Sequence, residues 1–218
     1  SLGYGWLTLT GSVVRGVAHT APFSPWSFGY YLSQALPLIC LGELFFLAFF
    51  FSKEERLLRP LTQATPIRQR RYAALRCGAV LTATAILCLC LAALAVGFYV
   101  SLFGWVDYGE LILPALLTLI PPIVFCLGAG MVLSCFNHTL IYALMAAVIL
   151  LTVLPLPPAI NFSLSDFFSQ FPLTVEKLDP AFHVPGWLAI HQISLIAIGA
   201  FLAVFAVNVQ RNSSCQTM

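Results

Sequence analysis

Long runs of apolar residues constrain this chain more than any other feature of its sequence. A helix needs about 20 predominantly apolar residues to cross the hydrocarbon core of a bilayer. Five runs meet that requirement, and they are termed segments A to E: residues 28–52, 76–103, 110–135, 139–156 and 186–209. The sequence therefore predicts an all-α, polytopic transmembrane helix bundle with five full crossings.

Charged residues are too few to cover a water-soluble surface. They make up 8% of the 218 residues, against 60% hydrophobic residues, whereas a soluble domain has about 25% charged residues. Lipid must therefore cover most of the surface. The seven cysteines show no CxxC pair and no metal-ligand spacing, so we expect them to pack as small apolar residues.

The basic residues predict the orientation. Seven of the ten Lys and Arg residues lie in residues 53–76, between segments A and B. Nucleic-acid binding is an alternative for such a cluster, but its position between two apolar runs favours a cytoplasmic loop. Eight Lys and Arg residues then lie inside, and only Arg15 and Lys177 outside. The predicted location is the bacterial cytoplasmic (inner) membrane, with the first residues outside and the C-terminus cytoplasmic.

Two regions fall outside the membrane in this orientation. Residues 1–27 are an outer segment or the end of a first helix. Residues 155–185 are an extracytoplasmic loop with six of the fourteen prolines. In this loop an i, i+3, i+4, i+7 apolar stripe predicts a short amphipathic outer helix before the last crossing, with Ser163 and Asp166 as a capping-box-like start. The stripe consists of Leu164, Phe167, Phe168 and Phe171. An ordered loop packed by its phenylalanines is the alternative. Residues 1–218 form a single transmembrane domain in either case.

The loop between segments A and B has a characteristic order of residues. Residues 52–72 read SKEERLLRPLTQATPIRQRRY: acidic residues follow the helix, a Leu-rich stretch leads to Thr-Pro, and Arg and Tyr precede the next helix. This order resembles the loop after the second helix of ABC-2 type transporter permeases, the transmembrane subunits of bacterial ABC exporters. The family often has Gly-Thr before the Leu pair and a Lys early in the third helix. Here residues 59–61 interrupt the pattern and Arg76 replaces that Lys.

The resemblance implies an architecture and a partner. The family has six helices, so segments A to E would follow a first helix whose outer end is residues 1–14. Its loop forms a coupling helix that docks onto an ATPase subunit. The partner-coupling residues carried over are Glu54, Glu55, Arg56, Leu57, Leu58, Arg59, Leu61, Thr65 and Pro66. Anchoring of these charges at lipid headgroups is the alternative.

The implied function is that of a permease subunit of an ATP-driven exporter for an amphipathic or lipid-like substrate, such as a peptide, antibiotic or glycolipid. No GxxxxGK[ST] motif occurs in the chain, so ATP and Mg would be bound by the partner ATPase and this chain would not itself be an enzyme. Expected partners are that ATPase, a second permease copy or paralogue, and membrane lipid, with no nucleic acid. The alternatives are an intramembrane enzyme acting on a lipid, or a non-transporting membrane scaffold.

Two features inside the apolar runs are candidates for a pathway or an interface. Glu43 lies in the middle of segment A, and an ionisable group at that depth costs a few kcal/mol unless it faces the bundle interior or a water-filled path. A Glu bonded to a neighbouring helix is the structural alternative. Pro121 and Pro122 interrupt segment C by removing backbone donors. Such breaks line pathways in transporters, and a simple kink is the alternative.

Overall fold

The described part of the computed structural model comprises residues 1–50, 69–105, 107–137, 139–154, 162–175 and 180–215. These residues form seven α-helices and one short 3-10 helix, and no strand occurs among them. The elements are α1 (Leu2–Gly11), η1 (Val13–Arg15), α2 (Pro25–Phe50), α3 (Gln69–Phe103), α4 (Gly109–Phe136), α5 (Thr139–Val153), α6 (Ser165–Thr174) and α7 (Gly186–Cys215). The all-α fold predicted from the sequence is confirmed.

Four of the helices are long and apolar enough to cross a membrane. Their apolar spans are Pro25–Phe50, Ala74–Phe103, Gly109–Phe136 and Gly186–Val209, which correspond to segments A, B, C and E. Helix α5, at the position of segment D, has 15 residues and extends about 22 Å at 1.5 Å per residue. That is short of a hydrocarbon core of about 30 Å. The chain is therefore a multi-pass membrane protein, and a fifth full crossing stays a prediction.

Contacts at the two ends of the bundle show that the helices alternate in direction. One hydrophobic cluster joins the start of α2, helix α6 and the start of α7. It contains Trp26, Phe167, Phe168 and Leu188. The end of α3 lies there too, because Phe23 contacts the ring of Phe103. This end is termed the aromatic end. The opposite end, at which Phe50 of α2 and Gln69 of α3 flank residues 51–68, is termed the basic end.

Helix α2 is the centre of the bundle. It packs against α1, α3, α4, α5 and α6. Many of its side chains are fully buried, among them Leu32, Leu36, Ile39 and Leu44. The outer surface is apolar as well, because Phe49 is 69% exposed, Leu89 68% and Phe201 70%. A surface of this kind is suited to lipid contact and not to water.

Helices α4 and α7 make the most extensive contact in the bundle. Gly128 and Gly199 meet where they cross. A Cβ atom on Gly128 would overlap the carbonyl oxygen of Gly199, and one on Gly199 would lie 2.5 Å from the carbonyl oxygen of Val124. The two backbones therefore touch at this point, which is the way small residues bring membrane helices together.

Helix α6 docks on the start of α2. The ring of Phe168 fills the space beside Gly29 that a Cβ atom would need, and the Trp26 indole N–H donates to the Pro180 carbonyl at 2.8 Å. The capping-box-like start at Ser163 is wrong. The N-cap residue is Leu164, whose φ is 59°, and the Ser163 hydroxyl pairs with that of Ser165 at 3.1 Å. Placement of α6 at an outer membrane face stays a prediction.

The first residues form a helix that packs on the bundle. Leu9 and Val13 are fully buried, and the Trp6 ring meets that of Phe98 edge to face at 6.0 Å. Gly5 lies against Tyr31, close enough that a Cβ atom would be 2.7 Å from the phenol oxygen. Helix α1 thus packs on α2 and α3 in the half of the bundle that lies next to the aromatic end. Both sequence interpretations of residues 1–27, an outer segment or a helix end, stay predictions.

Candidate functional site

The residues predicted to couple this chain to an ATPase lie outside the described residues. They all fall within residues 51–68, and they are Glu54, Glu55, Arg56, Leu57, Leu58, Arg59, Leu61, Thr65 and Pro66. The structure does describe how the flanking helices are joined. Arg76 Nη1 of α3 donates to the carbonyl oxygen of Phe50 at 2.9 Å, and its guanidinium lies 6.0 Å from the centre of the Phe50 ring. Arg76 therefore ties the last described turn of α2 to α3.

Glu43 lies in the interior of the bundle. Its side chain is 1% exposed, and neither carboxyl oxygen has a hydrogen-bond partner among the described residues. A buried polar group without a partner destabilises a fold by about 1–3 kcal/mol, and a charged group by more. Such a residue is a candidate for function, because the fold alone gives no reason to retain it.

Three thiols from three helices lie near Glu43. Cys40 lies one turn earlier on α2, and its thiol is near that of Cys126 on α4. Cys126 and Cys88, the latter on α3, lie close enough to interact electrostatically with the Glu43 carboxyl. These four residues are termed the Glu43 cluster. Thiols are weak donors and weak acceptors, and the carboxyl oxygens of Glu43 have no hydrogen-bond partner among the described residues.

The sequence identified Glu43 but not the thiols beside it. Cys40 precedes Glu43 by three residues, a spacing that places both on one helix face. The sequence could therefore have predicted that the Cys40 thiol lies beside Glu43. Cys88 and Cys126 come from other helices, so no spacing pointed to them. Among the residues that the structure describes, no group of three or more His, Cys, Asp or Glu side chains is arranged to hold a metal ion.

Gln192 of α7 is a second interior polar residue, and the sequence interpretation missed it. It is buried, and neither its amide nitrogen nor its amide oxygen has a partner among the described residues. It shares the buried face of α7 with Leu188 and Gly199. Gly199 packs on α4, so Gln192 lies toward the bundle interior. The sequence could have indicated Gln192, because it is the one side-chain amide in residues 186–207 of segment E.

Pro121 and Pro122 lie in the buried face of α4. The helix continues through both from Gly109 to Phe136, so the interruption consists of missing donors and not of a broken helix. The carbonyls of Leu117 and Thr118 lose their helical N–H partners as a result. Pro37 does the same in α2. Free carbonyls inside membrane helices are tolerated where neighbouring helices or a cavity surround them.

A cavity of about 520 Å³ lies at the aromatic end, between the first residues of α2 and α4 and the chain that leads into α7. Glu110 is its acidic residue, and Pro25, Pro180 and Phe182 form part of its wall. Glu110 is itself exposed. The cavity is therefore a surface recess at the end of the bundle, separate from the Glu43 cluster.

No known protein family, no curated protein and no solved structure matches this chain. The fold and the interior polar groups define its class, a multi-pass helical membrane protein whose central helix holds a buried carboxyl with no hydrogen-bond partner among the described residues.

Proposed function

We propose that this chain is the permease subunit of an ATP-driven exporter of the ABC-2 type. It would work with a separate ATPase and a second permease copy or paralogue, and move an amphipathic or lipid-like substrate across a bacterial cytoplasmic membrane. The observation that carries the proposal is the position of the ABC-2-like sequence. Residues 52–72 join the end of the central helix α2 to the start of α3.

The packing of α2 would transmit a movement of this segment to the rest of the bundle. Helix α2 contacts five other helices, and the Arg76–Phe50 hydrogen bond ties its end to α3. A displacement of the segment between them would reach both helices at once and the rest of the bundle through α2. Closure of a docked ATPase on ATP would supply such a displacement.

Glu43 lies within reach of this movement. It precedes Phe50 by seven residues, which corresponds to about 10 Å along a helix. A shift of α2 against α3 and α4 would change the surroundings of a carboxyl that has no partner among the described residues. The Glu43 cluster is therefore suited to respond to the coupling segment, with Pro121 and Pro122 on α4 as a second interior feature of the same pathway or interface.

The aromatic residues support placing the aromatic end at a membrane–water interface. Trp26, Trp105 and Trp187 all lie at the aromatic end, together with Tyr108, whose ring meets that of Trp105 edge to face. Trp and Tyr concentrate at membrane–water interfaces. With the basic end cytoplasmic, as the Lys and Arg distribution favours, α6 would lie at the outer face as the short helix that the family places before the last crossing.

Co-purification of the full chain with an ABC ATPase from the same organism tests the proposal. We expect a stable complex whose ATP hydrolysis the permease stimulates. Leu57→Asp/Leu58→Asp should abolish both, because it removes the apolar face of the coupling segment. Thr62→Asp/Gln63→Asp adds the same charge to the same loop and should leave both unchanged.

Failure of any ATPase to associate, in detergent and in lipid nanodiscs, would overturn the exporter proposal and leave a lipid-modifying enzyme or a scaffold. Equal losses in both double variants would show instead that added charge, and not the Leu pair, disturbs the complex, and would contradict the assignment of Leu57 and Leu58.

A further inference from the structure

An apolar groove lies near the basic end, between α3, α4 and α7. Its volume is about 400 Å³. Leu127 and Met131 of α4 form its buried floor, and the exposed residues Ala74, Val204 and Asn208 form its rim. A volume of this size is typical of small-ligand sites, which span about 300–1,000 Å³.

The groove opens sideways, toward the outside of the bundle. Val204 on its rim is 62% exposed, and the neighbouring Phe201 and Phe205 of α7 are 70% and 44% exposed. A surface with three exposed large apolar side chains on one helix faces lipid in a membrane protein. Water is thus excluded from the opening, and an occupant must be apolar, because an unpaired polar group has few partners there.

The position of the groove along the bundle indicates what lies at its mouth. Ala74 lies between Arg71 and Arg76 in the sequence of α3, and Asn208 lies three residues before Arg211 of α7. Charged residues avoid the hydrocarbon core, so the groove reaches from the edge of the hydrocarbon region inward. Asn208 places an amide at this edge, and an amide N–H donates readily to an ester or phosphate oxygen.

Charge at this end favours an anionic headgroup. Phe50 and Gln69 flank the most basic stretch of the chain, and seven of the ten Lys and Arg residues lie in residues 53–76. Basic residues next to a membrane helix attract anionic lipids by about 1 kcal/mol each. The lining of the groove is mostly apolar side chains, and its opening faces lipid, so a hydrocarbon chain of that lipid is the occupant that matches its surface.

We propose that the groove between α3, α4 and α7 binds one acyl chain of an anionic phospholipid from the leaflet at the basic end, with the headgroup beside Asn208. The inference does not depend on ATP-driven transport, because it concerns lipid binding by the chain itself.

Native mass spectrometry of the full chain, released from nanodiscs of phosphatidylglycerol and phosphatidylcholine in equal amounts, tests the proposal. Ala203 lines the groove, so Ala203→Phe fills it. Ala200 is exposed on the same helix, so Ala200→Phe is the matched control. We expect the wild type and Ala200→Phe to retain one phosphatidylglycerol, and Ala203→Phe to lose at least tenfold in occupancy.

Asn208→Leu keeps the groove open and serves if Ala203→Phe does not fold. We expect it to lower phosphatidylglycerol occupancy several-fold. Equal retention by Ala203→Phe and the wild type, or equal retention of the two lipids by the wild type, would overturn the proposal. A third outcome would also overturn it: the wild type is a dimer without bound lipid, and Ala203→Phe is a monomer. The groove would then be covered by a second copy of the chain.

Discussion

At the scale of single residues, the interior holds polar groups, Glu43 and Gln192, that have no hydrogen-bond partner among the described residues. Glu43 stood out in the sequence because it is the acidic residue within segment A, and its burial follows from the cost of exposing a carboxyl to lipid. Its neighbours could not be found in the same way. Cys88 and Cys126 reach it from α3 and α4, and their presence depends on how those helices are rotated, which a nearly uniform apolar sequence does not encode.

Glu43→Leu should stabilise the fold. The substitution keeps the side-chain size and removes two oxygens that lack partners among the described residues, which relieves about 1–3 kcal/mol. In a chain of this length each kcal/mol raises the melting temperature by about 2–4 °C. A thermal-shift measurement in detergent checks this. Glu43→Gln leaves a polar group in place and should give no rise.

A lower melting temperature for Glu43→Leu would mean that the carboxyl has a stabilising partner in the assembled protein. A rise in stability together with lost ATPase stimulation would instead identify Glu43 as a residue retained for function at the expense of stability, as functional sites commonly show.

At the scale of elements, hydropathy predicted the apolar parts of the long helices well, but not the polar turns that extend them. Segment C, residues 110–135, differs by one residue at each end from α4. Segment B began at residue 76, whereas α3 begins at Gln69, because Gln and Arg are good helix formers without being apolar. The region of α1 was predicted as either an outer segment or the end of a first helix, since Gly3, Gly5 and Gly11 disfavour a helix. Tertiary packing outweighs that propensity, and Gly5 is the contact point with Tyr31.

The close crossing of α4 and α7 gives a prediction at this scale. Gly128→Ala should lower the melting temperature by several degrees, because the added Cβ atom overlaps the Gly199 backbone and overpacking costs about 1–3 kcal/mol. Gly97→Ala is the matched control, since a Cβ atom there meets nothing within 4 Å. It should leave stability unchanged or slightly higher, as Ala favours a helix over Gly. Equal effects of the two changes, in thermal-shift or circular-dichroism melts, would contradict the contact.

At the scale of the whole molecule, the order and direction of the helices could be predicted from the sequence, but their neighbours could not. The apolar runs and the basic loop predicted that successive crossings alternate in direction. The contacts between helix ends at the aromatic end agree with that prediction. The central place of α2 and the α4–α7 contact depend on shape and small residues. Apolar side chains gain no hydrophobic advantage from leaving lipid for one another, so hydropathy carries no information about which helices pair.

The orientation of the bundle gives the last prediction. Asp107 and Ala181 are exposed at the aromatic end, and Asn137 is exposed at the basic end, where α4 finishes. In a cysteine-free background, Asp107→Cys and Ala181→Cys should react with a membrane-impermeant maleimide on intact cells, and Asn137→Cys only after the cells are opened. The reason is the excess of Lys and Arg at the basic end, eight against two, which retains that end in the cytoplasm. Reaction of Asn137→Cys alone on intact cells would show that the bundle is inverted, and would place residues 51–68 on the side where no ATPase could reach them.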